Sequence, residues 1–359
     1  MDDKKYYLGF SAFSGIGPIK FKTLLIEFGS AKNIWYSSID DLSKIIGKKL
    51  AFKFDKFRNN FSLTDYERKL VKKKVWFLCL NDKNYPKLLK EISNPPIVLY
   101  GKGKLPINDR IIAVVGARKT TQYGREVTKI ITQGLVQNCF TIVSGLALGV
   151  DAVAATTAIE QEGKTIAVLG SGVDVCHPST NINIYNSIVK NSGAIVSEVP
   201  LGQTPTKGLF PARNRIIAGL SLGVLVTEGE EDSGSLITAD YAFKFNRKVF
   251  AVPGPINSRF SKGPYKLIQK GAKLVTSAED ILKEFKYQKS NIKNANKKLK
   301  IKGNTREEQE IIKILENESL HFDEIVRRLK LEPSVIGSTL SLLEMKGYVN
   351  NENGIYDLR

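Results

Sequence analysis

The stretch Lys207-Gly208-Leu209-Phe210-Pro211-Ala212-Arg213-Asn214-Arg215 places three cations around one aromatic ring, just ahead of an apolar helical run (Ile216, Ile217, Leu220). Cations beside an exposed aromatic are the chemistry of single-strand recognition, because phosphates pair with the charges while a base stacks on the ring. Two readings stand here. Phe210 is either that platform or a buried staple, and Arg213 and Arg215 either flank a strand or pack structurally. A second group of residues forms backbone-permissive turns: Gly116-Ala117-Arg118, Ser144-Gly145, Gly170-Ser171-Gly172 and Ser233-Gly234-Ser235. Such turns, where they open helices, offer unpaired N–H groups to an anion. They are not a dinucleotide fingerprint, since Ala117 and Arg118 stand where a second glycine would admit a pyrophosphate. An arginine in that turn suits a single phosphate or a nucleic-acid backbone. Ordinary tight turns are the alternative.

Other chemistries find little support. Gly163-Lys164-Thr165 is not a phosphate loop, because position 158 is alanine and the triplet precedes a strand instead of following one. There is no GxSxG elbow, and neither His177 nor His321 has a triad context, so no catalytic residue is expected. Three cysteines (Cys79, Cys139, Cys176) without CxxC spacing exclude a disulfide framework and fit a reducing cytoplasm. With only two histidines besides, a structural zinc site lacks ligands; neither metal nor cofactor is expected.

The elements that must position these residues follow from hydrophobic periodicity. Residues 1–80 read as short helices. Ser14-Gly15-Ile16-Gly17-Pro18 interrupts two of them in the manner of a helix-hairpin-helix turn, with a plain helix connection as the alternative. Thr64 and Glu67 predict a capping box, and the helix they open runs into Lys72-Lys73-Lys74. Tyr85-Pro86 and Asn94-Pro95-Pro96 mark a connector. Within 81–285, six apolar runs (IIAVVG, TIVSG, TIAVLG, AIVSE, VLVTE, VFAVPG) alternate with helical patterns. Runs apolar on both faces with crossover helices predict an α/β, Rossmann-like, doubly wound and mostly parallel sheet, with the glycine turns on its carboxyl edge. Residues 286–303 are polar and lysine-rich, which predicts a flexible basic linker. From 304 to 359, a Thr305/Glu308 capping box, helices near 305–316, 322–330 and 334–346, and a terminal hairpin predict a winged helix. Arg327, Arg328 and Lys330 are its candidate phosphate contacts, with protein contact as the alternative.

With 54 Lys and Arg against 36 Asp and Glu, the 359-residue chain carries a formal charge of +18. That favours a polyanionic partner, with compositional lysine bias as the alternative. No run of about 20 apolar residues exists to span a membrane, and MDDKKYYLGF lacks the apolar core of a signal peptide. A soluble cytosolic protein is expected.

The motifs VVGAR (114–118), VSGLALGVD (143–151), AVLGSGVDVCHP (167–178), FPARNRIIAGLS (210–221), SGSLITA (233–239) and VFAVPG (249–254) together resemble the DNA-processing protein A (DprA, or Smf) family of natural transformation. The resemblance covers about Tyr85 to Leu282. It implies a Rossmann-like domain that binds single-stranded DNA, dimerises and hands the strand to the recombinase RecA. It also implies a sterile-alpha-motif-like helical N-terminus and a variable third domain matching the winged helix. The family's strand-binding pocket falls on Arg118, Lys207 and Phe210, over a floor of Gly116, Ser144, Gly145, Gly170 and Gly172, with Arg213 and Arg215 flanking it. Three positions depart from the family pattern. Leu148 replaces a basic residue and so removes a phosphate contact, Ala155 replaces a histidine, and Tyr265 replaces an asparagine.

Two rivals carry different chemistry. A nucleotide phosphoribohydrolase of related fold would show PGGxGTxxE, which Glu228-Gly229-Glu230-Glu231-Asp232-Ser233-Gly234 does not match. A ligand-sensing winged-helix transcription regulator would prefer duplex DNA.

Overall fold

The structure is a computed structural model that describes residues 3–106, 110–285, 305–315, 318–346, 348–352 and 354–358. It divides into two compact units, Met1–Gln288 and Lys289–Arg359. The expected linker at 286–303 lies outside the described residues.

The first unit opens with α1 (Lys4–Ala12), α2 (Pro18–Phe28), α3 (Ala31–Tyr36), α4 (Ile39–Ile46), α5 (Lys48–Asn60) and α6 (Leu63–Lys72). Pro18 sits in the first turn of α2, and Gly29 ends that helix at φ +78°. These short helices have little intrinsic stability, so they are held by an aromatic core. Phe10 stacks on Phe54 at 4.9 Å and meets Trp35 edge-on at 5.6 Å. The expected Thr64 cap is corrected: Ser62 caps α6 by accepting from the Asp65 N–H at 3.2 Å. A serine two residues earlier already satisfies the orphan amide, which leaves Thr64 inside the helix.

The sheet follows. Its strands are β1 (Trp76–Cys79), β2 (Val98–Gly103), β3 (Ile111–Val115), β4 (Thr141–Ser144), β5 (Thr165–Val168), β6 (Gly193–Ser197), β7 (Gly223–Val226), β8 (Lys248–Ala251) and β9 (Lys273–Leu274). Among the described residues they run in the order β1-β2-β6-β5-β4-β3-β7-β8-β9. From β6 to β9 every pairing is parallel, while β2 joins β6 antiparallel and β1 joins β2 antiparallel. The six predicted runs are β3 to β8. The outer strands were not predicted, because β1 and β2 flank the proline-rich connector and β9 has two residues. Helices α7 (Lys87–Lys90), α8 (Gln122–Gln137), α9 (Val150–Glu160), α10 (Ile182–Ser187), α11 (Leu209–Leu220), α12 (Gly234–Lys244), α13 (Lys262–Gln269) and α14 (Ala278–Glu284) complete the unit.

Fully buried Val, Ile and Ala side chains fill both faces of β3 to β8, as crossover connections require. The chain winds outward from β3 toward β6, then returns to β7 beside β3. This reversal opens a crevice at the carboxyl ends of the central strands, where ligands of such folds sit. The helical bundle joins the same unit through a shared core and through hydroxyls: Tyr66 and Tyr100 meet at 3.3 Å, and Ser11 also reaches Tyr100.

The second unit has α15 (Arg306–Leu315), β10 (Leu320–His321), α16 (Phe322–Leu329), α17 (Pro333–Met345), β11 (Val349–Glu352) and β12 (Ile355–Leu358). Its sheet runs β10-β12-β11. Ile311, Ile325, Ile336, Leu340, Leu343 and Val349 close its own core, which gives the predicted three helices and hairpin. The Glu308 N–H donates to Thr305 Oγ1 at 3.2 Å, the first half of the predicted box.

Candidate nucleic-acid interface

Loops at the carboxyl edge carry the predicted residues, and close contacts join three of them, Arg118, Gly170 and Phe210. The loop after β3 carries Gly116 and Arg118, the loop after β5 carries Gly170 and Gly172, and the segment between β6 and α11 carries Lys207. Phe210, partly buried, stands in the first turn of α11. The guanidinium of Arg118 lies over the Phe210 ring at 5.4 Å, a cation–π geometry that holds the arginine at the rim. Arg118 and Lys207 are both exposed, and among the described residues neither is in an ion pair. Exposed cations without carboxylate partners beside a half-exposed ring are what a phosphate and a base require.

The floor is built by close backbone approach. Gly170 faces Phe210, and a Cβ there would stand 3.3 Å from the ring. Gly116 abuts Val150 and the carbonyl of Glu228. The buried Ser144 hydroxyl donates to the Val114 carbonyl at 2.7 Å, and the Gly172 N–H donates to the Gln203 carbonyl at 2.9 Å. At Gly145 a Cβ would run into the guanidinium of Arg213. Gly149, at φ +74°, lets the loop after β4 press against the carbonyls of Ala117 and Arg118, a conformation and an approach that only glycine combines.

Arg213 and Arg215 do not flank an open pocket, and the expectation that they would is corrected. Both are buried, at 6% and 4% exposure. Arg213 donates to the Val168 carbonyl at 2.8 Å and lies behind Gly145. Arg215 pairs with Glu198 at 2.5 Å. The cause is α11 itself, whose residues from 213 to 220 are all buried. A sequence shows the head of an apolar helix but not that the helix is covered on every side.

The buried charges are answered in kind. Desolvation pushes the Asp151 carboxyl up, opposed by Arg213 and by the N–H groups of Ala147 and Gly145. Burial likewise lowers Arg213, and Asp151 opposes it. Glu198 is raised by burial against the pull of Arg215. Asp151 therefore organises the loop after β4, accepting from Gly145 at 3.0 Å and Ala147 at 3.3 Å. Sequence reasoning missed that role, although an Asp in the first turn of α9 signalled a helix-start acceptor.

Of the departures, Leu148 is 46% exposed on that loop, where it adds apolar surface but no charge. Ala155 is buried, and the Tyr265 hydroxyl donates to the Gly254 carbonyl, tying α13 to the loop after β8.

Elsewhere the candidates are weaker. Ile16 is buried in the turn between α1 and α2, while Gly17 is exposed. In the second unit Arg327 pairs with Glu324, and Arg328 pairs with Glu318 at 2.8 Å and Glu324 at 2.9 Å. These arginines are thus already engaged by carboxylates of their own unit, and α17 contains neither lysine nor arginine.

No described helix is long and apolar enough to cross a membrane. Among the described residues no group of His, Cys, Asp and Glu could hold a metal ion.

Comparison with known proteins places the chain in a family. The chain is 40% identical over 287 residues to protein Smf of Synechocystis sp., covering 78% of this chain and 72% of that one. The crystal structure of DNA processing protein A from Streptococcus pneumoniae superposes with TM-score 0.68 at 36% identity, over 80% of this chain and 99% of that one. A structure addressing the single-stranded DNA binding mode of DNA processing protein A from Helicobacter pylori superposes with TM-score 0.54 at 30% identity, over 59% and 95% of the two chains. The DprA winged helix domain matches residues 297–354. The family described as DNA recombination-mediator protein A matches residues 76–286, and the chain belongs to it.

Proposed function

We propose that this protein binds single-stranded DNA across the carboxyl edge of its sheet and passes the strand to RecA in transformation or recombination, without catalysing a covalent step. The observation that carries the reading is the Arg118–Phe210 pair, an exposed guanidinium over a partly buried ring, with Lys207 exposed three residues before Phe210. Phosphates would meet Arg118 and Lys207 while a base stacks on Phe210. Gly116, Ser144, Gly145, Gly170 and Gly172 shape the floor, and Arg213 and Arg215 support it from behind. The Helicobacter pylori protein of the same family, which binds single-stranded DNA, supports the choice of ligand.

A pocket with two free cations binds one strand weakly, so a C2 homodimer would supply avidity by joining two pockets. The place of action would be the cytoplasm, where RecA works. Gel shifts with single- and double-stranded oligonucleotides over a salt series test the reading. Log affinity for the single strand should fall with log salt at about −0.7 per phosphate neutralised. Equal or greater affinity for duplex would overturn it. Light scattering at micromolar concentration tests the dimer, which a monomer with full binding would refute.

A further inference from the structure

His177 stands near the end of the 167–178 motif. It is exposed in the loop after β5, and its ring lies 5.8 Å from that of Phe210 with the planes tilted by 40°. The loop is anchored. The Asn181 amide donates to the carbonyls of Leu146 at 2.9 Å and Ala147 at 3.2 Å, fixing this segment beside the one that carries exposed Leu148. Phe210 therefore does not stand alone: Arg118 covers it from one loop and His177 adjoins it from another.

We propose that His177 and Phe210 form one aromatic shelf that takes two successive bases of a single strand, and that this shelf is a source of selectivity against duplex. The inference rests on the strand-binding reading above. The spacing carries it. Two rings 5.8 Å apart are too close to hold a base between them, since each intervening face needs about 3.5–4 Å of contact distance. They are also farther apart than the ~3.4 Å rise per base in a duplex strand. Bases seated on both rings must be unstacked from one another and splayed by the 40° tilt, which a single strand tolerates and a paired duplex does not. Leu148, exposed on the neighbouring loop, adds apolar surface and no charge beside the two rings.

The test uses the full chain with fluorescein-labelled oligothymidylate and a matched duplex, in His177→Ala, His177→Phe, His177→Lys and Phe210→Ala. His177→Ala should weaken single-strand binding by about fivefold to a hundredfold, the range for losing one stacked base, with the salt slope unchanged. It should also narrow the preference over duplex. His177→Phe should restore both, and His177→Lys should not. Unchanged affinity in His177→Ala, or rescue by lysine but not phenylalanine, overturns the shelf. Phe210→Ala separates the two ideas: if it weakens binding while His177→Ala does nothing, only the shelf fails. If neither change has an effect in folded protein, the strand-binding reading fails with it.

Discussion

At the residue scale the site reduces to a division of labour between charge and ring. Arg118→Ala should reduce the salt slope by about 0.7, one phosphate equivalent, and Lys207→Ala should do the same. Phe210→Ala should cost roughly 1–3 kcal/mol while leaving the slope nearly unchanged. The control for bulk charge is Lys20 and Lys22, exposed on α2. Lys73 would serve badly, because it holds Asp174 at 2.7 Å in the loop after β5. If the paired control weakens binding more than Arg118→Ala, net charge alone explains affinity. Arg215 carries a different expectation. Removing it leaves the partly buried Glu198 carboxylate without its partner, so Arg215→Ala should destabilise by up to about 3–5 kcal/mol in urea titrations, and Arg215→Met by less. The sequence made Arg118, Lys207 and Phe210 visible through residue type and strand-end position. It could not distinguish them from Arg213 and Arg215, because burial depends on what covers α11. The sequence offers His177 only as a triad base or a zinc ligand, because its place beside Phe210 depends on how the loop after β5 folds.

At the element scale, periodicity located β3 to β8 because strands covered on both faces leave continuous apolar runs. The same signal is silent for β1 and β2, which flank the proline-rich connector, and for β9, which has two residues. Several carboxylates tie the loops between elements, and Asp174 is held by partners from two other segments. Burial pushes its carboxyl up, but the Lys73 ammonium and the Gly202 N–H, at 2.8 Å, outweigh this and hold it below the usual carboxylate value. Its contribution to stability is therefore present above the unfolded pKa of about 3.9 and is lost as pH falls through the lower folded value. Urea midpoints measured between pH 3 and 6 should show a steeper acid decline in the parent than in Asp174→Asn. Parallel declines would mean that the pair contributes nothing.

At the scale of the whole molecule, charge is divided unevenly. Residues 305–359 carry seven Lys and Arg against eleven Asp and Glu, net −4 in a chain of +18. An acidic unit whose α17 lacks cations is a poor reader of phosphates. Ending the chain after residue 304 should leave single-strand affinity unchanged or raised, whereas ending it after Gln288 also removes lysines and should lower it. A sharp loss on the first truncation would assign strand contact to the winged helix after all. Within the first unit, the helical bundle reaches the segment that carries Lys207. The Leu201 N–H donates to the Tyr66 hydroxyl at 3.2 Å, and the Gly202 N–H donates to Asp174. Displacing that segment would break the Leu201 bond to the bundle, so its mobility should depend on Tyr66. Tyr66→Phe should speed amide exchange at Leu201 and shorten the residence time of a bound strand, with the on-rate little changed. A tyrosine hydroxyl of the helical bundle would then act as the clock for the strand's departure.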